Sequence, residues 1–453
     1  MKKFSTLLLA TSLFVSLAGM FTNCTKKGDT GAAGVDANET CKLCHASTVV
    51  DRVATEFELA KHSWGTVSFE EAGNTGCSPC HCQEAFVYVC KNNIPSTFTL
   101  TNGKWTNDYA TDNADAIGAI TCFTCHSSLH TTYGYADLTS LTTIAPISMT
   151  MRGGFQTIDL PQNGGKSNLC AKCHQPRPLT CNNDPAGRLF PYDSILSSPN
   201  TLMYDSTKGA KNIYAKPSYR MHVHYGAVGA VFAGKGGIEF PGTVAYGNSK
   251  HTTVAACPDC HMAEPMTGMA GGHSFNVRNA KESALGTGTT WNFNGCNSID
   301  ACHKGDPMST TAAKWINTRS TVLGLLDALA TKINVIGSGH NILHSDATSS
   351  NLWAGVSTGN YDGYLDIYTP GTNDAGYWAD PYLKNNTINN SKPKFPSLTM
   401  AQTGALINFQ FCLREYSLGI HNTAYVTALL TNSAEILGKT NLTNRVAQNR
   451  AGR

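Results

Sequence analysis

Cys257-Pro258-Asp259-Cys260-His261 sets two thiols three residues apart and follows the second at once with an imidazole. Positions i and i+3 share one side of a helical turn, so both sulfurs can reach one flat partner while the histidine is carried beneath it. Covalent haem attachment requires this arrangement: a thioether from each cysteine to a vinyl group, and an iron–nitrogen bond from the histidine. The pattern recurs as Cys41-Lys42-Leu43-Cys44-His45, Cys77-Ser78-Pro79-Cys80-His81, Cys122-Phe123-Thr124-Cys125-His126 and Cys170-Ala171-Lys172-Cys173-His174. A lone Cys-x-x-Cys could be a redox dithiol or half of a zinc ribbon. Neither demands a histidine directly after every pair, and at this multiplicity haem attachment is the reading that accounts for all five.

A sixth site, Cys296-Asn297-Ser298-Ile299-Asp300-Ala301-Cys302-His303, keeps the Cys-His junction but holds its thiols six positions apart. Its extra residues must loop out for Cys296 to reach a vinyl group; the alternative is a local Cys296–Cys302 disulfide. Six sites imply six haem c groups on proximal ligands His45, His81, His126, His174, His261 and His303. The chain has fifteen histidines, which leaves His62, His130, His222, His224, His251, His273, His340, His344 and His421. The ligand on the second face of each iron decides between electron transfer and substrate chemistry. Surplus histidines favour bis-histidine haems, with methionine (Met149, Met151, Met221, Met262, Met266, Met269) as the competing ligand.

The N-terminus, Met1-Lys2-Lys3 followed by an apolar run from Leu7 to Ala18, has the form of a secretory signal and is too short for a membrane span. Residues 1–23 are read as that signal, and 24–40 as a flexible glycine-bearing tether. Cys24 resembles the acylated first mature cysteine of a bacterial lipoprotein, although Phe21-Thr22-Asn23 departs from the usual small residues; simple cleavage between Gly19 and Asn23 is the alternative. Either way the expectation is an exported protein, at the outer membrane or cell surface, extracellular or periplasmic. A membrane enters only through a lipid on Cys24. Of seventeen cysteines, Cys82, Cys90, Cys181 and Cys412 remain after the haem sites and Cys24. In an oxidising compartment they suggest disulfides Cys82–Cys90 and Cys181–Cys412.

The formal charge is +3, but two propionates per haem would turn the loaded protein acidic, which counts against nucleic-acid binding. The expected fold is that of a multihaem cytochrome c, mainly α and irregular loops with few short β-hairpins and long C-terminal helices. A haem-binding region spans 41–309 with irregularly spaced motifs. Helices follow over 310–453: one from Thr310 to Val335, one from Met400 to Tyr416 and one from Thr423 to Leu437, by their apolar periodicity. Between them, 345–396 reads as an irregular insertion rich in turn residues. Asn102-Gly103, flanked by alternating residues, predicts a hairpin.

Ser218-Tyr219-Arg220-Met221-His222-Val223-His224, Asn248-Ser249-Lys250-His251, Gly272-His273-Ser274-Phe275 and Gly419-Ile420-His421-Asn422-Thr423-Ala424-Tyr425 resemble segments of multihaem cytochromes related to the ammonia-forming nitrite reductases. The likeness covers roughly 218–440. It implies distal ligands His251, His273, His421 and one of His222 and His224, with His224 preferred. His62 and His130 join them as histidines that follow early motifs. The chain departs from the reductases in having no Cys-x-x-Cys-Lys, so their catalytic haem has no counterpart. By haem count, size and export it is also similar to hexahaem outer-surface cytochromes of metal-reducing bacteria, some of which polymerise. The expected activity is electron transfer to other redox proteins or an extracellular acceptor, with self-assembly into a filament compatible with it. The alternative is a reductase of a small nitrogen or sulfur oxyanion, with an open haem facing Arg220 or Lys250.

Overall fold

Val322, Leu326, Leu329, Ala330 and Ile333 recur at helical spacing and are all fully buried, on one face of a 27-residue helix, Met308–Asn334. The Met308–Asn334 helix ends in a 3-10 turn, Val335–Gly337, where Ser338 and Gly339 turn left-handed at φ 50° and 111°. By length and hydropathy it could cross a membrane. Its apolar face is nonetheless spent on two neighbours, Met400–Arg414 and Thr423–Thr440. These three helices are the expected C-terminal helices, within a few residues of the predicted bounds.

The computed structural model describes residues 49–65, 71, 74–102, 104–109, 118–126, 135–151, 154–176, 191–207, 217–218, 221, 223–224, 226–266, 270–278, 291–298, 303–345, 361–368, 376–380 and 392–440. Within them helices predominate, and the strands form four two-stranded antiparallel pairs. Phe98–Thr101 and Lys104–Asn107 make the hairpin expected at Asn102, whose φ is 52°. Ile147–Met151 pairs with Gly154–Ile158, placing Ile147 and Ile158 in the main core. The other two pairs are fasteners between distant segments: Leu202–Tyr204 with Leu398–Thr399, and Leu343–Ser345 with Tyr361–Leu365. Part of the expected irregular insertion is therefore built into the fold, with Leu365, Ile367 and Trp378 buried.

Met400–Arg414 is the central helix. A capping box starts it, with Gln402 N–H donating to Thr399 Oγ1 at 3.2 Å and Thr399 N–H donating to Gln402 Oε1 at 2.8 Å. Every residue but Gln402 is buried, so its polar side chains must find partners inside the protein. Asn408 does so by imitating a strand: its Oδ1 accepts from Ile238 N–H at 2.7 Å and its Nδ2 donates to Ile238 O, also at 2.7 Å. Asn432 repeats the device on the Val244 backbone, and Asn422 takes Ser249 N–H at 3.0 Å while donating to Val231 O at 3.1 Å. Three asparagines thus stitch the strandless 238–249 segment onto the C-terminal helices.

The main core runs from Ile147 to Leu437, so residues on both sides of position 309 share it. Before Ile147 the buried apolar side chains form only small clusters, Phe86, Val89, Cys90 and Tyr109 with Leu169, and Cys82 with Ala85. The described part of the early motif region therefore has little hydrocarbon to pack on.

Asn408→Ala would leave the Ile238 amide and carbonyl without a partner in a dry interior, each such loss costing about 1–3 kcal/mol. Chemical denaturation is expected to show the variant less stable by roughly 3 kcal/mol, whereas an exposed change such as Thr321→Ala should leave the midpoint near its original value.

Candidate haem centres

Each motif described in full closes a single helical turn. Ser78–His81, Cys122–Cys125 and Cys257–His261 are such turns, and Cys170 lies in the last turn of the helix Gln162–Ala171. The amides of His81, His126 and His174 bond the carbonyls of Cys77, Cys122 and Cys170 at 3.2, 2.8 and 2.9 Å, drawing each imidazole back toward its own cysteines. Thr121 caps one turn through Phe123 N–H, and Asp259 Oδ2 accepts from Ala256 N–H at 2.7 Å in another. At the long-spaced site His303 N–H still reaches Cys296 O at 3.3 Å, so the extra residues do not carry the histidine away from Cys296. Gly295 lies on the Asp259 and Cys260 backbone too closely for any side chain, which seats this site against the previous motif. Cys41, Cys44, His45, His130, His222, Cys302, Cys24 and Cys181 lie outside the described residues.

The motif histidines do not stand alone. His81 faces His224 with ring centres 6.3 Å apart, His126 faces His273 at 6.3 Å, His261 faces His421 at 6.3 Å, and His174 faces His62 at 5.9 Å. An imidazole nitrogen sits about 2 Å from a transition metal it ligates, with the ring centre ~1 Å further back, so two imidazoles on opposite sides of one metal have centres roughly 6 Å apart. Rings packed for their own sake could approach much closer, as His340 does on Tyr377 at 3.6 Å. Each of the four pairs joins one motif histidine to one of the surplus histidines, and the residues present therefore fit a six-coordinate haem iron. Among the described residues no cluster of three or more His, Cys, Asp or Glu could hold a bare metal ion. Burial lowers the pKa of His251, and the nearby His303 and His421 add to the effect.

The outward nitrogens are anchored. Nδ1 of His126 lies 3.1 Å from Ser140 O, that of His251 2.6 Å from Ile420 O, and that of His261 2.9 Å from Phe275 O. His303 Nδ1 is 3.0 Å from Asp306 Oδ2 and His421 Nδ1 is 2.7 Å from Glu415 Oε2. Carbonyl and carboxylate oxygens only accept, so Nδ1 carries the proton and Nε2 keeps the lone pair a metal needs. Burial lowers the pKa of His62, His251, His261 and His273, and brings His174 down to about 3, with His62, His261 and His421 adding to the effect. These imidazoles are held neutral, as ligands must be. Glu415 behaves oppositely: its complete burial would raise its pKa, yet hydrogen bonds from His421, Gly419 N–H and Ser417 hold it below the usual carboxylate range.

Two features bring the centres together. Cys173 hydrogen-bonds Cys80, and Cys170 hydrogen-bonds Cys257, so thiols of the second, fourth and fifth motifs touch in sequence. Phe275 sits at a junction, its ring edge-on to His62 at 5.0 Å and to His273 at 6.0 Å while its carbonyl takes His261. Its φ of 56° is unusual for a bulky residue and lets ring and carbonyl serve different neighbours. Sequence reasoning named His62, His224, His251, His273 and His421 as candidates but did not single out Phe275, Glu415, Asp306 or Glu56. A carboxylate six residues before a candidate ligand carries no spacing signal of its own.

The expected Cys82–Cys90 disulfide is not formed. The helix Gln83–Lys91 separates the two residues, and eight positions along a helix amount to about 12 Å, beyond the ~7 Å a disulfide can span. Cys82 instead hydrogen-bonds Glu84 Oε2 at 3.1 Å, and Cys90 packs with Phe86 and Val89. Cys412 is likewise a buried free thiol in the central helix, contrary to its expected bridge to Cys181. Alkylation of the denatured, unreduced protein is expected to modify Cys82, Cys90 and Cys412; a cross-linked peptide joining Cys82 and Cys90 would overturn the assignment. No protein-family model, no curated protein and no solved structure matches the chain.

Proposed function

We propose that the chain is an exported six-haem c-type cytochrome that carries electrons along closely spaced bis-histidine haems to another redox protein or an extracellular acceptor. The observation that carries this reading is the set of four facing pairs, His81–His224, His126–His273, His174–His62 and His261–His421, each with one member directly after a Cys-x-x-Cys. Bound haem would supply reversible one-electron iron chemistry. The chain's own part is placement: cysteines fix each macrocycle, paired imidazoles close both faces, and Nδ1 anchors hold the rings.

The thiol contacts support a path. Cys80 against Cys173 and Cys170 against Cys257 bring the attachment points of the second, fourth and fifth motifs side by side. Gly295, packed on the Asp259 and Cys260 backbone, extends the series to the sixth. With an imidazole to hold each side of a bound haem, a small oxyanion would find no open iron at these four pairs, which favours a carrier over a reductase.

The mass of the mature protein is expected to exceed that of its polypeptide by six haem increments; a mass without haem would refute the proposal. The oxidised protein should be low-spin, and His273→Ala should give one high-spin, carbon monoxide-binding haem. The facing rings differ in mutual angle, 82° for His62–His174 and 28° for His261–His421. Because ligand-plane angle governs the anisotropy of ferric low-spin haem, electron paramagnetic resonance should resolve a highly anisotropic signal beside a rhombic one, and His62→Ala should abolish the former.

A further inference from the structure

Glu415 is fully buried, and its hydrogen bonds converge on one task. Oε2 lies 2.7 Å from His421 Nδ1, Gly419 N–H donates to Oε1 at 2.9 Å, and Ser417 Oγ donates within 2.9 and 2.7 Å of the two oxygens. The Ser417 hydroxyl also accepts from His421 N–H at 3.0 Å, so carboxylate, hydroxyl and histidine form one closed unit. Arg414, next in the chain, turns its guanidinium to Asp362 O and the Tyr364 ring.

Five other candidate ligands meet weaker or compensated acceptors. His126, His251 and His261 face neutral backbone carbonyls. His303 faces Asp306, a partly exposed side chain that also takes Lys314 Nζ at 2.7 Å. His273 Nδ1 is 3.8 Å from Glu56 Oε2, and the other Glu56 oxygen is paired with Arg52 at 2.9 Å. Of the three carboxylates Glu56, Asp306 and Glu415, Glu415 is thus the one wholly removed from water with a histidine as its ionic partner.

Resting on the haem reading above, we propose that Glu415 is a positioning and tuning residue that sets the iron between His261 and His421 at a lower reduction potential than it would have with a neutral acceptor in its place. A carboxylate drawing on the Nδ1 proton makes the imidazole a stronger electron donor. Ferric haem also carries one more positive charge than ferrous haem, and a fixed negative charge in a medium of low dielectric stabilises it. Both effects favour the oxidised state.

The test is a spectroelectrochemical titration of the intact protein. Glu415→Gln keeps the shape and a hydrogen-bond acceptor while removing the charge; one of the haem components is expected to move to higher potential while the remainder stay. Ser417→Ala removes a donor from both carboxylate oxygens, which strengthens their pull on Nδ1, and should move the same component lower. Simple loosening of His421 would shift both variants the same way, and that result, or an unmoved Glu415→Gln with all haems retained, would overturn the proposal. Should Glu415→Gln lose a haem, the direction in Ser417→Ala decides. A wild-type protein devoid of haem would instead refute the proposed function, whatever the variants do.

Discussion

Two imidazoles that face each other with centres about 6 Å apart leave a gap neither can close alone, since each ring must be held from behind. This constraint organises the described structure. Every facing pair joins distant parts of the chain, and the Nδ1 atoms of His126, His251, His261, His303 and His421 are anchored on a backbone carbonyl or on a carboxylate itself held by hydrogen bonds. His421 depends on Glu415, Ser417 and the end of the central helix, and His251 depends on Ile420 O in the same turn. The C-terminal helices are thus the base from which candidate ligands are presented to motifs well upstream.

The same logic explains a core rich in amide side chains. Asn408, Asn422 and Asn432 bind backbone in a segment without regular structure, supplying hydrogen bonds that a sheet would otherwise provide. Buried polar groups fully satisfied in this way fix one arrangement more sharply than interchangeable aliphatic contacts could. The sparse apolar packing before Ile147 has a matching explanation on the proposed reading: flat macrocycles would provide the hydrophobic surface that the side chains there do not.

Sequence made the local chemistry legible because Cys-x-x-Cys-His is a local device. The turns at Cys122–Cys125 and Cys257–His261, the Asn102 hairpin and the three C-terminal helices all follow from short-range spacing, and all are observed. Which histidine faces which could not be read, because pairing is a property of tertiary packing: His62 sits nearest in sequence to the second motif yet faces the fourth. The Cys82–Cys90 expectation failed because Gln83–Lys91 is helical, its Ala85, Phe86, Val89 and Cys90 turned to the interior, and proximity along a chain is lost when the chain coils between two residues. Glu415 was invisible for a different reason: nothing in Arg414-Glu415-Tyr416 distinguishes a buried charge from a surface one until its hydrogen-bonding partners are placed.

The thiol contacts between motifs also bear on biogenesis. Cys80 beside Cys173, and Cys170 beside Cys257, are cysteines of different Cys-x-x-Cys-His motifs. In a polypeptide that reached an oxidising compartment and folded before ligation, either contact could oxidise to a bridge that disables two sites at once. On the proposed reading, maturation is therefore a race between cofactor ligation and oxidation, and the favourable order is to arm each motif while the chain is still too open for its neighbours to meet.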